Sequence, residues 1–336
     1  MDSTTAGLAA RQLLYVQHRS RLQPRSPRFI WPTNRHLLAG QRGLADVLFS
    51  DSAPEEYDRA FLKHAVKRIE QAIDTATEDD LEWLGVERGD LVADEDLLAR
   101  FVDLIVSGID DNVVGVRIPQ PDLRTYYFPL HDTDEQHPLL GHAASVVLRE
   151  EGAAISQGTT GLKTWEASLR LGSHIVAQQD TLFAPGARIL ELGSGAGFLG
   201  MLCARLAKDN DVYLTDLEGS VLSRLHETAR LNHCTAHIAH LDWTQPDIDF
   251  LTRVNATVVL AADTVYDPEL VRPLAQTIRA ALIGDNSPER TTSGASAAVA
   301  LVASTVRNPD TYAKFNKELN DAQLQVKRAK LEQAHD

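Results

Sequence analysis

From residue 188 onward the chain alternates short apolar runs with helix-like segments, and nothing else in it constrains the fold as tightly. Strands are predicted at Arg188–Leu192, Val212–Thr215, Ala236–Leu241, Ala256–Ala261 and Ala298–Ala303. Helices are predicted at Gly197–Ala207, Ser220–Leu231, Glu269–Ile283 and Thr311–Leu319, the third carrying Leu270, Leu274, Ile278 and Leu282 at fourth-residue spacing. A Ser/Thr/Gly-rich loop from Ser287 to Ser296 precedes the fifth strand. Apolar strands this short, interleaved with helices, must be covered on both faces, so the class is α/β: a doubly wound, mostly parallel sheet. Ligands of such sheets bind at the carboxyl ends of the strands.

The first strand end carries the most information. Glu191 to Gly197 read E-L-G-S-G-A-G, with Ala187, Ile189 and Leu190 before them and Phe198, Leu199, Met201, Leu202, Ala204 and Leu206 after. A strand that turns through glycines into a helix leaves backbone N–H groups free for a polar ligand. Two readings compete. Gly195, Gly197 and Gly200 spell G-x-G-x-x-G with Asp216 about twenty residues on, as in a Rossmann-like dinucleotide unit. Glu191, directly ahead of the turn, instead suits a ligand bearing an ammonium group, which S-adenosylmethionine does. Asp216 can accept from both ribose hydroxyls in either case.

The remaining strand ends favour the methyl donor. Asp242 can accept from an adenine amino group, and Trp243 beside it can wall off the ring, although a core role suits Trp243 equally well. Ala261 and Ala262 are small enough to let a ligand approach. Asp263 and Tyr266 then add polar groups on the substrate side, with a helix cap as the plain alternative for Asp263. The glycine turn has no Lys or Arg to hold a phosphate.

These residues resemble the class I, seven-strand S-adenosylmethionine-dependent methyltransferases, and within them the lysine-directed group called methyltransferase family 16. The resemblance rests on Glu191 to Gly200, Thr215–Asp216, Leu241 to Trp243, the D-x-x-Y stretch Asp263 to Tyr266, and G-T-T-G-L-K-T-W-E-A at Gly158 to Ala167. A long N-terminal extension ahead of G-T-T-G-L-x-T-W is similar to the eukaryotic elongation factor 2 lysine methyltransferases, as is Ala60 to Ile69. The resemblance implies S-adenosyl-L-methionine as cofactor, held by Trp165, Gly193, Ser194, Gly195, Asp216, Trp243 and Ala262, and substrate-side roles for Asp263 and Tyr266. It also implies a protein substrate, elongation factor 2. Such families close the sheet with an antiparallel pair. Here one candidate strand, Leu324 to Leu331, follows the last helix, so the final antiparallel strand is expected to be missing and a sheet edge unpaired.

The first 150 residues read as a helical substrate-recognition extension and residues 151–336 as the methyltransferase domain. Leu62, Val66, Ile69 and Ile73 form one helical stripe, and Leu98, Phe101 and Ile105 another. Between Asp74 and Asp111 stand thirteen acidic residues against two basic ones, a solvated face by default. Prolines at 119, 121, 129 and 138 predict a loop or linker. A net charge of −14 excludes wrapping of nucleic acid through phosphates. Cys203 and Cys234 lack partners at metal or disulfide spacing, and His131, His137 and His142 are expected to be solvated, so no metal is predicted. No run of residues has the length of a membrane span or the core of a secretory signal, which leaves a cytoplasmic monomer as the expectation. Trp31, among Arg25, Arg28 and Arg35, suits a small hydrophobic cluster better than a partner contact.

Overall fold

The computed structural model describes residues 1–49, 56–107, 121–130, 136–151, 161–283 and 298–329. The chain divides into two units: Met1–Ile118 with Arg124–Tyr127 and Gln136–Gly141, and Pro119–Leu123 with Phe128–Glu135 and His142–Asp336. The loop predicted at Ser287 to Ser296, His131, and Gly158 to Thr160 of the upstream motif lie outside the described residues.

In the first unit α1 (Ser3–Arg19), α2 (Asn34–Gly40), α3 (Leu44–Phe49), α4 (Glu56–Asp74), α5 (Glu78–Leu84) and α6 (Glu95–Ser107) surround an aliphatic and aromatic core. Leu62, Val66 and Ile69 of α4 are buried against Leu14, Leu37, Leu44 and Leu97, so the predicted stripe is the core face. The face of α6 is turned from its prediction. Leu97 and Leu104 are buried with Leu98 and Phe101 packed beside them, whereas Ile105 is 43% exposed. Trp31 joins this core, its ring 4.7 Å from Phe29 and 6.1 Å from Phe61. Glycine lets α1 and α2 touch: a Cβ on Gly7 would lie 2.5 Å from the Ala39 carbonyl oxygen.

The proline-punctuated stretch is not a loop throughout. Asp122–Pro129 is a strand, β1, with Pro121 just before it and Pro129 at its last position, where a strand tolerates proline. His137 is not solvated as expected. It is half-buried, exchanges backbone hydrogen bonds with Gly141, and its Nε2 lies 3.2 Å from the Tyr15 hydroxyl. His142 is exposed, and no group of described residues has the makings of a metal site. None of the described helices is long and apolar enough to cross a membrane.

The second unit contains β2 (Ala143–Glu150), α7 (Glu166–Leu182), β3 (Arg188–Leu192), α8 (Phe198–Leu206), β4 (Asp211–Asp216), α9 (Gly219–Leu231), β5 (His237–His240), α10 (Ile248–Val254), β6 (Val258–Ala262), α11 (Val271–Ile283), β7 (Val299–Ala303) and α12 (Pro309–Asp321). Five strands form one parallel sheet in the order β5-β4-β3-β6-β7. Alternate residues of β3 serve opposite faces. Leu190 and Leu192 meet Leu274, Ile278 and Phe315 of α11 and α12, while Glu191 reaches Gly200 of α8. This is the doubly wound parallel sheet that the alternation predicts.

Besides β1, three elements among the described residues had no counterpart in the sequence reading: β2, α7 and α10. Asp247 caps α10 by accepting from Phe250 N at 2.8 Å, and Asn255 closes it in the left-handed region. The Asn232 side chain works as a rung beside β2: its Oδ1 accepts from Val147 N and its Nδ2 donates to Val147 O, both at 2.7 Å, and also to Thr228 O. The last predicted strand is not formed over its described part. Residues 324–329 are irregular, with Leu324 packed on the core beside α12.

Candidate functional site

Sheet order sets the site. β3 and β6 are neighbours in space but not in sequence, so the chain leaves them in opposite directions and opens a crevice beyond their carboxyl ends. Gly193 follows β3, and Asp263 follows β6.

On the β3–β4 side the backbone is held by side chains close in sequence. Gly193 and Gly195 take φ of +67° and +52°, a region that a side chain disfavours. Their surroundings are closed as well. A Cβ on Gly193 would stand 3.1 Å from both Trp243 and Thr264, and one on Gly195 would stand 3.0 Å from the Gly161 carbonyl oxygen. Gly195 N donates to Asp216 Oδ2 at 3.0 Å, and the other Asp216 oxygen accepts from Leu217 N and Glu218 N. Ser194 is latched to β4, its N donating to Thr215 O at 2.9 Å and its Oγ accepting from Thr215 N at 3.1 Å.

Glu191 is buried at 3% exposure, with Oε2 accepting from Gly200 N at 3.0 Å. Burial pushes its pKa up to about 8, against hydrogen bonds from Ser194 and Gly200 that favour the anion. At neutral pH the carboxyl therefore carries a proton and staples the loop to α8. Asp216 is also raised, first by burial, although its backbone donors oppose this. Asp242 is used locally instead: its Oδ1 accepts from Thr244 N and Thr244 Oγ1 at 2.8 and 2.7 Å, which holds its pKa low.

The β6–β7 side is joined by residues distant in sequence. Ala262 pairs with Ala303 across the sheet, and the chain then turns at Asp263 with φ +52°, unusual for a residue with a side chain. Asp263 is buried, at 8% exposure. Its Oδ1 accepts from Thr305 N at 2.9 Å and faces an Arg307 guanidinium nitrogen at 3.5 Å, and its Oδ2 faces Ala167 N at 3.4 Å. Arg307 in turn lies 5.1 Å from the ring centre of Trp165, the residue capping α7. Tyr266 faces out, 55% exposed. Burial, and after it the charges of Asp216 and Asp267, raises its hydroxyl pKa, so Tyr266 is within electrostatic reach of Asp216.

The expected residues thus fall into three groups: Gly193 with Trp243, Gly195 with Asp216 and Tyr266, and Asp263 with Trp165. Asp242 and Glu191 each serve their own loop. Sequence reasoning missed Thr264, Thr305 and Arg307. The rule applied to four strand ends would have found the last two had it been carried to the fifth, because V-R-N-P follows β7 closely.

Residues 147–289 match the family described as lysine methyltransferase. The human protein-lysine N-methyltransferase EEF2KMT is 33% identical over 200 residues, covering 55% of this chain and 57% of its own length. EFM3 of Chaetomium thermophilum, also a protein-lysine N-methyltransferase, is 27% identical over 296 residues, covering 82% of this chain and 77% of its own. Over residues 147–289 the sheet unit is thus similar to the lysine methyltransferase family.

The cofactor of that family is S-adenosyl-L-methionine, and the residues present fit it. Trp243 Nε1 and Thr264 Oγ1, which belong to the two side chains facing Gly193, are buried without a hydrogen-bond partner among the described residues. Buried donors are rarely left so, and a polar ligand that reached them would satisfy them. Gly195 and Asp216 stand together at the carboxyl ends of β3 and β4.

Proposed function

We propose that this protein is an S-adenosylmethionine-dependent protein-lysine N-methyltransferase whose substrate is elongation factor 2, working in the cytoplasm. The observation that carries this reading is that the family match at 147–289 contains the whole glycine bed and the Asp263–Tyr266 pair. The helical first unit serves substrate recognition. Relatives named for elongation factor 2 support the substrate, although the chain spans only 57% of the human one.

The bound donor supplies an electrophilic methyl group. The chain's own task is to align a lysine amine with it, exclude water and let the amine shed a proton. A free lysine has a pKa of about 10.4, so only about one in two to three thousand is neutral at pH 7. Burial on docking, together with a nearby positive sulfonium, lowers that value. Tyr266 is the hydroxyl that orients the amine, since it faces out on the Asp216 side. Asp263 fixes the turn that presents Tyr266, and its carboxylate joins Tyr266 in holding the amine hydrogens once substrate displaces Arg307.

Incubation with labelled donor, followed by mass spectrometry of purified elongation factor 2, tests the reading. Label on a lysine of that protein is expected. Label confined to small metabolites, or donor binding with no transfer to any protein in a lysate lacking this chain, would overturn it.

A further inference from the structure

The first unit holds a pocket that the methyl-transfer reading does not use. Its volume is about 350 Å³, and Pro24, Arg25, Phe29, Trp31, His64 and Arg68 line it. The size suits one or two side chains. Its walls are of two kinds. Phe29 and the half-buried Trp31 give apolar faces, and Trp31 Nε1 donates to Pro24 O at 3.3 Å, which fixes the indole. Arg25 and Arg68 give exposed charge: Arg25 Nε donates to His64 Nε2 at 3.0 Å, and the Arg68 guanidinium lies 4.9 Å from the Trp31 ring centre.

Charge is unevenly distributed around it. The chain has 47 acidic residues to 33 basic ones, yet Pro24–Arg35 and Arg59–Arg68 contain Arg25, Arg28, Arg35, Arg59, Lys63, Lys67 and Arg68 and no acid. No carboxylate pairs with Arg25 or Arg68 among the described residues. His64 accepts from Arg25, so it faces that arginine as a neutral ring. Burial, followed by the charges of Arg25, Lys63, Lys67 and Arg68, lowers its pKa.

We propose that this pocket binds an acidic segment of a protein partner, with a glutamate or aspartate carboxylate on Arg25 and Arg68 and its methylene stem against Phe29 and Trp31. Planar guanidinium groups match a carboxylate in two-point contact, and the aromatic faces exclude water from it. The overall charge of −14 opposes any anion at long range, so attraction rests on the local run of arginines and lysines and suits a short acidic segment better than a long polyanion.

The test is equilibrium binding of labelled hexaglutamate to the full chain, with hexaglutamine, inorganic phosphate and oligothymidylate in parallel and no methyl donor present. Hexaglutamate is expected to bind with an affinity that falls as salt rises, and to perturb Trp31 fluorescence. Arg25→Gln combined with Arg68→Gln should weaken it about tenfold at an unchanged Tm, since both side chains are exposed, and the double lysine variant should keep part of the affinity. Hexaglutamate binding no better than hexaglutamine, or equally well in the double glutamine variant, would overturn the proposal. Tighter binding of phosphate or oligothymidylate through the same arginines would also overturn it. Because nothing in the assay depends on methyl transfer, its failure is distinct from failure of the enzymatic reading.

Discussion

The two sides of the crevice are built by different means. At the ends of β3 and β4, Glu191 holds Gly200, Ser194 holds Thr215 and Asp216 holds Gly195, links that span 9 to 21 residues. At the ends of β6 and β7, Asp263 binds Thr305 42 residues on and faces Ala167 96 residues back. The hydrogen bonds of the first side are set once a single strand–helix–strand unit has folded, although Trp243, Thr264 and Gly161 close in on its glycines from further along the chain. The second needs the whole sheet in register, because its partners arrive on β7 and α7. A donor bed that forms locally and a substrate edge assembled last make the substrate edge the more vulnerable part.

Asp263→Ala attacks the vulnerable side and should have the largest effect. It strands the Thr305 amide and places alanine at φ +52°, for a loss of about 3 kcal/mol. Arg307 is half exposed and adds little to this. Chemical denaturation measures the loss, and methyl transfer should disappear while donor affinity stays within a few-fold. A large fall in donor affinity would show that the two sides are one structural unit. Asp263→Asn, which tolerates the same φ, should recover most of the stability.

Glu191→Gln probes the local side through pH. The folded pKa of Glu191, about 8, lies above the unfolded value of 4.5, so the native state keeps a proton that the unfolded chain gives up. Stability is therefore complete at pH values below 4.5, declines as pH rises through the interval to 8, and is flat above it. Gln binds no such proton, and the decline, on the order of 5 kcal/mol for a shift of this size, should vanish from melts of the variant across that range. An unchanged slope would mean that another buried acid is responsible.

Tyr266→Phe should have the smallest effect on the fold. The side chain is 55% exposed, so Tm should hold, while kcat falls about tenfold with little change in donor affinity. Stability lost in this variant would tie Tyr266 to the Asp263 network and blur the contrast between the sides.

The same contrast explains what could be read from the sequence. Strand–helix alternation after residue 188 located β3 to β7 within a few residues, because an apolar strand and an amphipathic helix are local patterns. The glycine bed was legible for the same reason: E-L-G-S-G-A-G prescribes positive φ at Gly193 and Gly195 within one turn. The place of Thr305 and Arg307 just past β7 was legible, but their pairing was not, since nothing near them in the chain announces a buried aspartate more than forty residues away. β1 was hidden by its bordering prolines, and β2 lies in a stretch read as helical, with one of its backbone partners an asparagine side chain on α9.

That asparagine has a consequence for how the protein ages. One amide at Asn232 gives two hydrogen bonds and accepts one, all at 2.7 to 2.8 Å, and its nitrogen faces two carbonyl oxygens. Slow hydrolysis of the amide to an acid would replace that donor with a negatively charged oxygen against Val147 O and Thr228 O, turning attraction into repulsion without altering the shape of the side chain. Stored protein would then gain one negative charge per damaged molecule and loosen first where β2 meets α9, a change visible by charge-resolved separation before any loss of mass or length.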